Sequence, residues 1–248
     1  MTRRHTRWTA GTPCWADLTS GDLQAARTFY SALFGWTYHS EEDNGHVIAQ
    51  SADADAAGLR KATNGAPSAW TLYIASDDAD ATAAAVTAHG GSVVFPPADV
   101  GGLGRGFAAT DPSGAVFGVW DARSHIGAGS VHEPATLSWT ELRTPEPDAM
   151  RSFYAGVFGH KAVGGPGDMD QSSFRLPGEE IALGSIRKSV QSSGAWSVFF
   201  GTSDVKATVS MAERNGGTLV VAPAETPRGH VAMLTDPTGA QFWIIEPI

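Results

Sequence analysis

One stretch of this chain occurs twice, and this repeat constrains the fold more than any other feature. Residues 15–18 read Trp-Ala-Asp-Leu, and a helical pattern after them ends in Phe-Tyr-Ser-Ala-Leu-Phe-Gly-Trp at residues 29–36. Residues 139–142 read Trp-Thr-Glu-Leu, and the matching helical pattern ends in Phe-Tyr-Ala-Gly-Val-Phe-Gly-His at residues 153–160. Since the second copy begins midway along the 248 residues, the sequence predicts one domain written twice.

Each half contains the same order of predicted elements. Alternating residues predict a strand near residues 15–19, and Asp22 and Gly35 are suited to begin and end the helix that follows. Three short strands come next, and the order of strand, helix and three strands then repeats within the same half. The last two strands flank an Asp-Pro-x-Gly turn at residues 111–114 and again at 236–239. Each half therefore holds two predicted strand-helix-strand-strand-strand modules.

The repeat divides the chain into four segments. We assign residues 1–12 to an N-terminal tail and residues 13–121 to the first domain. Residues 122–135 are rich in Gly, Ser and charge without periodicity, so we interpret them as a linker before the second domain at 136–248. Each domain is long enough to bury its own core, and we expect one core in each half.

Charge and composition exclude several classes of partner. The formal charge of −9 and the pI near 5.3 argue against binding to nucleic acid or to an anionic membrane, which attract clustered Lys and Arg. The basic residues Arg3, Arg4 and Arg7 are interpreted as part of a solvated tail. No apolar run approaches the roughly 18 residues of a membrane helix, so we expect a cytoplasmic protein.

The paired modules, the Phe-Tyr helix that ends at a glycine and the closing Asp-Pro-x-Gly hairpin resemble the vicinal oxygen chelate superfamily. This superfamily includes glyoxalase I, extradiol dioxygenases and bleomycin-resistance binding proteins. The resemblance covers nearly the whole chain, twice, and implies an α+β fold of two tandem domains. In each domain, a pair of βαβββ modules would form a concave sheet with helices on the convex side. Ligand or metal would occupy the concave side.

Alternation along the strands predicts which side chains face the concave side. On the first strand, Ala16 and Leu18 suit the helix side, so Trp15 and Asp17 point the other way. The aromatic side chains that share the face of Trp15 would form flat apolar walls, of the kind that hold an aromatic small molecule. The predicted ligand-binding residues of the two halves are Trp15, Tyr73, Trp120, Trp139, Phe199 and Trp243.

Metal-dependent members of the superfamily place His, Gln or Glu ligands at equivalent points of the concave face, because a divalent ion needs several donors from different strands. In this chain those points fall on residues that are poor ligands, since indole and glycine offer no donor and a neutral hydroxyl is a weak one. We therefore expect no metal site and no cofactor. The points are Trp15, Gly58, Thr71 and Gly118 in the first half and Trp139, Gly184, Ser197 and Trp243 in the second.

Asp17 and Glu141 are the candidate catalytic residues. Each lies two positions after a predicted cleft tryptophan, and a carboxylate beside aromatic rings is desolvated, which suits proton transfer. The structural alternative is that each carboxylate accepts hydrogen bonds from its neighbours and braces the strand. Arg105 and His230, each six residues before its hairpin aspartate, are candidate contacts for a ligand anion or carbonyl.

Three functions follow from these residues. The leading hypothesis is metal-independent binding of a hydrophobic or aromatic small molecule in natural-product handling or resistance. The alternative is a metal-free isomerase, cyclase or lyase acting on a carbonyl-containing, polyketide-like substrate through Asp17 or Glu141. A metal-dependent glyoxalase or dioxygenase is the third. A fused pair of domains can build a dimer-like interface internally, so we expect a monomer with an internal pseudo-dimer or a homodimer.

Overall fold

The computed structural model describes residues 3–40, 46–164 and 171–247. Within these ranges there are sixteen strands and four helices. The first half contains β1 Pro13–Ser20, α1 Leu23–Phe34, β2 Thr37–Ser40, β3 His46–Ser51, β4 Ala54–Lys61, β5 Ala69–Ser76, α2 Ala79–Ala88, β6 Ser92–Val100, β7 Gly104–Thr110 and β8 Val116–Ala122. The second half contains β9 Leu137–Thr144, α3 Pro147–Phe158, β10 Lys161–Gly164, β11 Gln171–Arg175, β12 Gly184–Lys188, β13 Ala195–Gly201, α4 Val205–Arg214, β14 Thr218–Thr226, β15 Gly229–Thr235 and β16 Gln241–Pro247.

Each half forms one eight-stranded mixed sheet, which confirms the predicted α+β fold of two tandem domains. The strand orders are β2-β3-β4-β1-β5-β8-β7-β6 and β10-β11-β12-β9-β13-β16-β15-β14, so the two sheets have the same topology. In each sheet the first strands of the two modules, β1 with β5 and β9 with β13, pair antiparallel at the centre. No helix among the described residues combines the length and the apolar character that crossing a bilayer requires.

Local sequence explains where the helices begin and end. Asp22 accepts a hydrogen bond from Ala25 N at 2.9 Å, and this satisfies one of the free N–H groups at the start of α1. Gly35 ends the same helix with a φ of 69°, in the left-handed region that glycine adopts without steric cost. Asp78 and Asp204 cap α2 and α4 in the same way as Asp22 caps α1.

The expectation of one core in each half is wrong for the two largest apolar clusters, because both are shared between the halves. Two smaller clusters of the described residues, one at each cleft, do not join the two domains. In the first core, Phe29 and Tyr30 of α1 pack with Phe200 and Phe242 of the second half. In the second core, Phe117 of β8 and residues of α2 pack with residues of α3. Helix α1 therefore contacts α4, and α2 contacts α3. The two domains pack through their convex sides, and neither half buries its apolar surface alone.

A chain of three hydrogen-bonded side chains crosses this interface. The Trp70 indole donates to the Tyr30 hydroxyl at 2.9 Å, and that hydroxyl donates to Asp236 Oδ2 of the other domain at 3.2 Å. The second oxygen of Asp236 accepts from the backbone N–H groups of Thr238 and Ala240, which shapes the Asp-Pro-Thr-Gly turn. The same set of hydrogen bonds runs from the second domain to the first. The Trp196 indole donates to the Tyr154 hydroxyl, and that hydroxyl donates to Asp111 Oδ2.

The residues that follow the two helix-ending glycines also reach across the interface. The Trp36 indole donates to Ala135 O at 2.9 Å, just before β9. His160 occupies the matching position, and its Nε2 lies 2.7 Å from Gly11 O, just before β1. Burial against Phe174 lowers the pKa of His160 to about 4, so the imidazole is neutral at pH 7. Its Nε2–H group donates a hydrogen bond to the Gly11 carbonyl.

In the described part of the N-terminal segment, Arg3 and Arg7 are exposed to solvent, whereas Arg4 and Trp8 are half-buried. The Trp8 indole donates to Ala128 O at 3.1 Å, and the guanidinium of Arg4 lies 4.2 Å from the Trp8 ring. Arg7 pairs with Asp121. The predicted linker is likewise packed, and it returns to β1 through Ala128 N and Cys14 O. Both segments close the first domain at one end.

We predict that Tyr154→Phe lowers the free energy of unfolding by about 1 to 3 kcal/mol, because it leaves the buried Asp111 oxygen and the Trp196 N–H without a partner. Urea unfolding followed by circular dichroism measures the change. Tyr38→Phe is the matched control, because the Tyr38 hydroxyl donates to a half-buried backbone carbonyl of its own domain and not across the interface. If the two variants lose the same free energy of unfolding, the interdomain hydrogen bond contributes no more to stability than the hydrogen bond of Tyr38.

Candidate functional site

Each sheet encloses one cavity on its concave side. The first cleft has a volume of about 380 Å³ and the second a volume of about 530 Å³. Both volumes fall in the range of sites for small organic molecules. The first cleft is lined by Trp15, Asp17, His46, Tyr73, Trp120 and His125 among others. The second is lined by Trp139, Glu141, Arg143, Phe199, Arg228 and Trp243 among others.

The predicted alternation of faces is confirmed on the central strands. Trp15 and Asp17 line the first cleft, whereas their neighbours Ala16 and Leu18 lie in the shared core. Of the eight aromatic and carboxylate residues predicted for the two clefts, every one lines its cleft. They are Trp15, Asp17, Tyr73 and Trp120 in the first and Trp139, Glu141, Phe199 and Trp243 in the second.

Arg105 and His230 were predicted to contact a ligand, but neither residue lines either cleft. Both Arg105 Nε and Nη2 donate to the Asp80 carboxylate of α2 at 2.9 Å. His230 lies 3.9 Å from Glu246, whose carboxylate accepts from Val205 N at the start of α4. These side chains face the helices, because Arg105 shares a face of β7 with the core residue Phe107 and His230 shares a face of β15 with the core residue Ala232.

Asp17 is buried in the first cleft and does not act alone. Its Oδ1 lies 2.7 Å from His46 Nε2, and its Oδ2 lies 3.3 Å from Arg60 Nε. Both residues line the cleft, and the His46 side chain is 24% exposed whereas that of Asp17 is 6% exposed. Burial raises the pKa of Tyr73 to about 12, and the charge of Asp17 adds to this shift. Asp17 thus fixes one imidazole nitrogen and leaves the histidine as the group that faces the cavity.

A glycine makes the contact between Asp17 and His46 possible. Gly58 of β4 is the register partner of Asp17 on β1. A Cβ placed on Gly58 would overlap Asp17 Oδ1 and would lie 2.6 Å from His46 Nε2. In metal-dependent members of the superfamily, a metal-ligand side chain would occupy this point. Here the side chains of Asp17 and His46, from neighbouring strands, fill the space above Gly58.

Glycines also allow the aromatic rings of the first cleft to lie flat on the sheet. The Tyr73 ring covers Gly118, where a Cβ would overlap it. The Trp120 ring covers Gly106 in the same way, since a Cβ on that glycine would lie 2.9 Å from the ring. The Trp120 indole donates to His125 O at 2.8 Å, and the His125 ring meets the edge of Trp15 with ring centres 4.7 Å apart. Together these rings form a continuous wall.

Glu141 of the second cleft has different partners from Asp17. Arg143 Nε donates to one carboxylate oxygen at 2.9 Å, and the Ser185 hydroxyl donates to the other at 3.1 Å. The Trp139 indole in turn donates to Ser185 at 3.2 Å. Ser185, and not Gly184, is the register partner of Glu141, so the predicted equivalence of Gly58 with Gly184 is wrong by one residue. Both oxygens of Glu141 are engaged, which suits a structural carboxylate.

The sequence reasoning missed several residues that line the clefts. His46, Arg60 and His125 contribute to the first, and Arg143 and Arg228 to the second. His46 and Arg60 face each other in the register of β3 and β4, and this pairing of strands would have been the signal. His125 and Arg228 lie outside the strands, where alternation gives no orientation.

Comparison with known proteins assigns the family. Residues 12–119 and 136–244 match the Glyoxalase/Bleomycin resistance protein/Dioxygenase superfamily. The chain belongs to this superfamily, and the two matched segments are the two sheets. It is 35% identical to CFP32 of Mycobacterium tuberculosis (strain CDC 1551 / Oshkosh), whose name assigns it provisionally to the glyoxylases, and the match covers 98% of each chain. It is 36% identical to the anthracycline biosynthesis protein DnrV of Streptomyces peucetius, with 97% of this chain and 95% of DnrV covered.

Solved structures of the superfamily share the fold at lower sequence identity. The Mn(II)-bound glyoxalase from Novosphingobium aromaticivorans superimposes with a TM-score of 0.69 at 20% identity, over 96% of this chain and 83% of that one. The 2,3-dioxygenase LapB from Pseudomonas sp. KL28 gives a TM-score of 0.70 at 16% identity, over 95% and 92% of the two chains. At these identities the likeness shows the fold alone.

The residues of the two clefts do not fit a metal ion of the kind found in metal-dependent superfamily members. Among the described residues, no three His, Cys, Asp or Glu side chains cluster closely enough to hold one. At the positions where a metal site in the first cleft would need donor atoms, the chain has Trp15, Gly58 and Gly118. The Tyr73 ring covers Gly118. A divalent ion requires several converging N or O ligands, and these residue types do not supply them.

We predict that Gly58→Ala destabilises the protein by about 1 to 3 kcal/mol, because the added methyl group forces apart Asp17 and His46 in a packed site. Urea unfolding measures the loss. Gly21→Ala is the control, because a Cβ there meets its nearest neighbour at 3.8 Å, an ordinary contact. A Gly58→Ala protein as stable as the control variant would show that the contact between Asp17 and His46 is not tightly packed.

Proposed function

We propose that the first cleft binds a planar, largely apolar aromatic molecule without a metal ion. The observation that carries this proposal is the aromatic wall laid over glycines, with Tyr73 on Gly118 and Trp120 on Gly106. Aromatic walls bind flat ligands by stacking and by excluding water. The cavity of about 380 Å³ has room for a molecule of several fused rings.

The relatives support a role in natural-product chemistry. DnrV is named for anthracycline biosynthesis, and it matches this chain over nearly its whole length. An anthracycline contains a fused planar ring system, which has the shape that the first cleft accepts. We therefore place the proposed binding activity in the handling of, or resistance to, an aromatic natural product.

We predict saturable binding of 1,8-dihydroxyanthraquinone, measured by isothermal titration calorimetry so that loss of a tryptophan does not alter the signal. Trp120→Ala should weaken binding by about tenfold, since an aromatic contact contributes about 0.5 to 1.5 kcal/mol beyond the area that it buries. Trp243→Ala is the control, because it removes a ring from the second cleft and should leave binding in the first cleft unchanged. Lack of saturable binding by a broad panel of polycyclic compounds would count heavily against the proposal.

The contact between Asp17 and His46 supports a second candidate, a proton-transfer enzyme of the isomerase, cyclase or lyase class. A carboxylate that holds Nε2 of a histidine leaves Nδ1 as the nitrogen that takes up a proton. In such a step, His46 would remove a proton from a carbon that a carbonyl of the same ring system makes acidic. The electron pair would pass into an enolate, and the proton would return to the product. The aromatic wall would keep water away from the enolate.

This second candidate reassigns the predicted catalytic role. Asp17 becomes the positioning residue, and His46, which lines the cavity, becomes the base. Glu141 has both oxygens engaged by Arg143 and Ser185, and it carries no part of the proposal.

We predict that the protein accelerates exchange of the ring CH2 protons of anthrone in deuterium oxide, followed by proton NMR. His46→Gln should reduce the acceleration by about 100-fold or more, the usual size of a general-base contribution. Asp17→Asn, which removes only the positioning carboxylate, should reduce it by less. Glu141→Gln should leave it unchanged. If anthrone binds and no exchange occurs in the native protein, the proton-transfer function is lost while the binding function stands.

A further inference from the structure

The two clefts differ at one corner, the turn that joins the first two strands after the helix of the second module. In the first domain this turn joins β6 to β7 through residues 101–103, and Leu103 lines the cleft. In the second domain it joins β14 to β15 through Pro227 and Arg228, and Arg228 lines the cleft. An apolar corner in one domain is thus a cationic corner in the other.

Arg228 is held in place from three sides. Its guanidinium carbon lies 3.6 Å from the centre of the Trp139 ring, and its Nη2 donates to the Ser173 hydroxyl on β11. Its backbone N–H donates to Thr226 Oγ1 at 3.2 Å, and that hydroxyl donates to Gly229 O, so the turn itself is braced. A guanidinium fixed in this way loses little rotamer freedom when a ligand binds.

The charge of Arg228 has no carboxylate partner among the described residues. Glu141 is near enough to influence it, yet Glu141 gives its two oxygens to Arg143 and Ser185. Burial lowers the pKa of the Arg228 guanidinium, and the charge of Glu141 acts in the opposite direction. A half-buried cation that has no carboxylate partner in the described part of the chain is favourably placed to accept an anion from outside.

The whole second cleft shares this bias. Its lining contains three guanidinium groups and two carboxylates, whereas the first cleft contains one guanidinium and two carboxylates. Arg143 lies over the Trp243 ring at 4.8 Å, and that ring stacks on Phe199 with centres 5.2 Å apart. A flat apolar wall and a fixed cation therefore face the same cavity.

We propose that the second cleft is a separate site for a planar aromatic anion, of the aromatic carboxylate class. Arg228 binds the carboxylate, and the stacked pair Phe199 and Trp243 forms the wall along which the rings lie. This site is independent of the function proposed for the first cleft, because it uses none of the same residues. The chain then carries two clefts of opposite preference, one for a neutral aromatic molecule and one for an anionic one.

The test compares 2-naphthoate with 2-naphthamide, which has nearly the same shape and no charge. With ¹⁵N-labelled protein, naphthoate should shift the indole signals of Trp139 and Trp243 and leave those of Trp15 and Trp120 in place. By calorimetry, Arg228→Gln should weaken naphthoate binding by about tenfold or more, because a hydrogen bond to a charged group is lost. Added salt should weaken naphthoate binding to the native protein.

Two controls separate this result from a general effect of charge. Arg105→Gln removes a cation that lies outside both clefts, so it should leave naphthoate binding unchanged. Arg228→Lys keeps the charge without the planar fork and should bind with intermediate affinity. Thermal unfolding of each variant shows that its fold is retained. The proposal is overturned if the native protein gives no saturable naphthoate signal, if Arg228→Gln binds as tightly as the native protein, or if the shifted signals belong to Trp15 and Trp120.

Discussion

The hydrogen bond from a helix tyrosine of one domain to the hairpin aspartate of the other is the constraint on which the rest of the structure depends. Asp111 and Asp236 are buried carboxylates, and each uses one oxygen to close its own turn. The other oxygen is satisfied only by Tyr154 or Tyr30 across the interface. Because an unpaired buried carboxylate oxygen is costly, the convex sides of the two sheets must meet in this register.

This arrangement explains why the concave faces carry the functional residues. Packing of the shared cores fixes every side chain on the convex side, as with Leu18 and Phe242. The opposite face of the same strands is not part of these shared cores, so the residues around Trp15 and Trp139 can differ. Asp17 contacts a histidine, whereas Glu141 accepts hydrogen bonds from an arginine and a serine. Identical scaffolds therefore hold chemically different cavities.

Regular patterns in the sequence predicted the parts of the structure that follow a period. Alternation on β1 and β9 placed the cleft tryptophans correctly, and the capping aspartates and stop glycines located the helices. Contacts between distant segments were beyond such patterns. No pattern in the sequence points from Trp70 to the other half, yet it is part of the bridge between domains. Arg228 lies in a turn, where alternation defines no direction. The face of Arg105 does follow from alternation, because Arg105 shares a face of β7 with the core residue Phe107.

The shared cores also govern how the two halves of the gene can change. Phe200 of the second half lies against Phe34 and Trp70 of the first, with ring centres 5.4 and 5.0 Å apart. A new side chain at that position must be accommodated by the other copy, so mutations on this side are accepted in matched pairs. A residue such as Leu103 has no counterpart to satisfy. The shared cores thus couple the two copies on one surface, whereas a substitution in one cleft does not require a matching change in the other half.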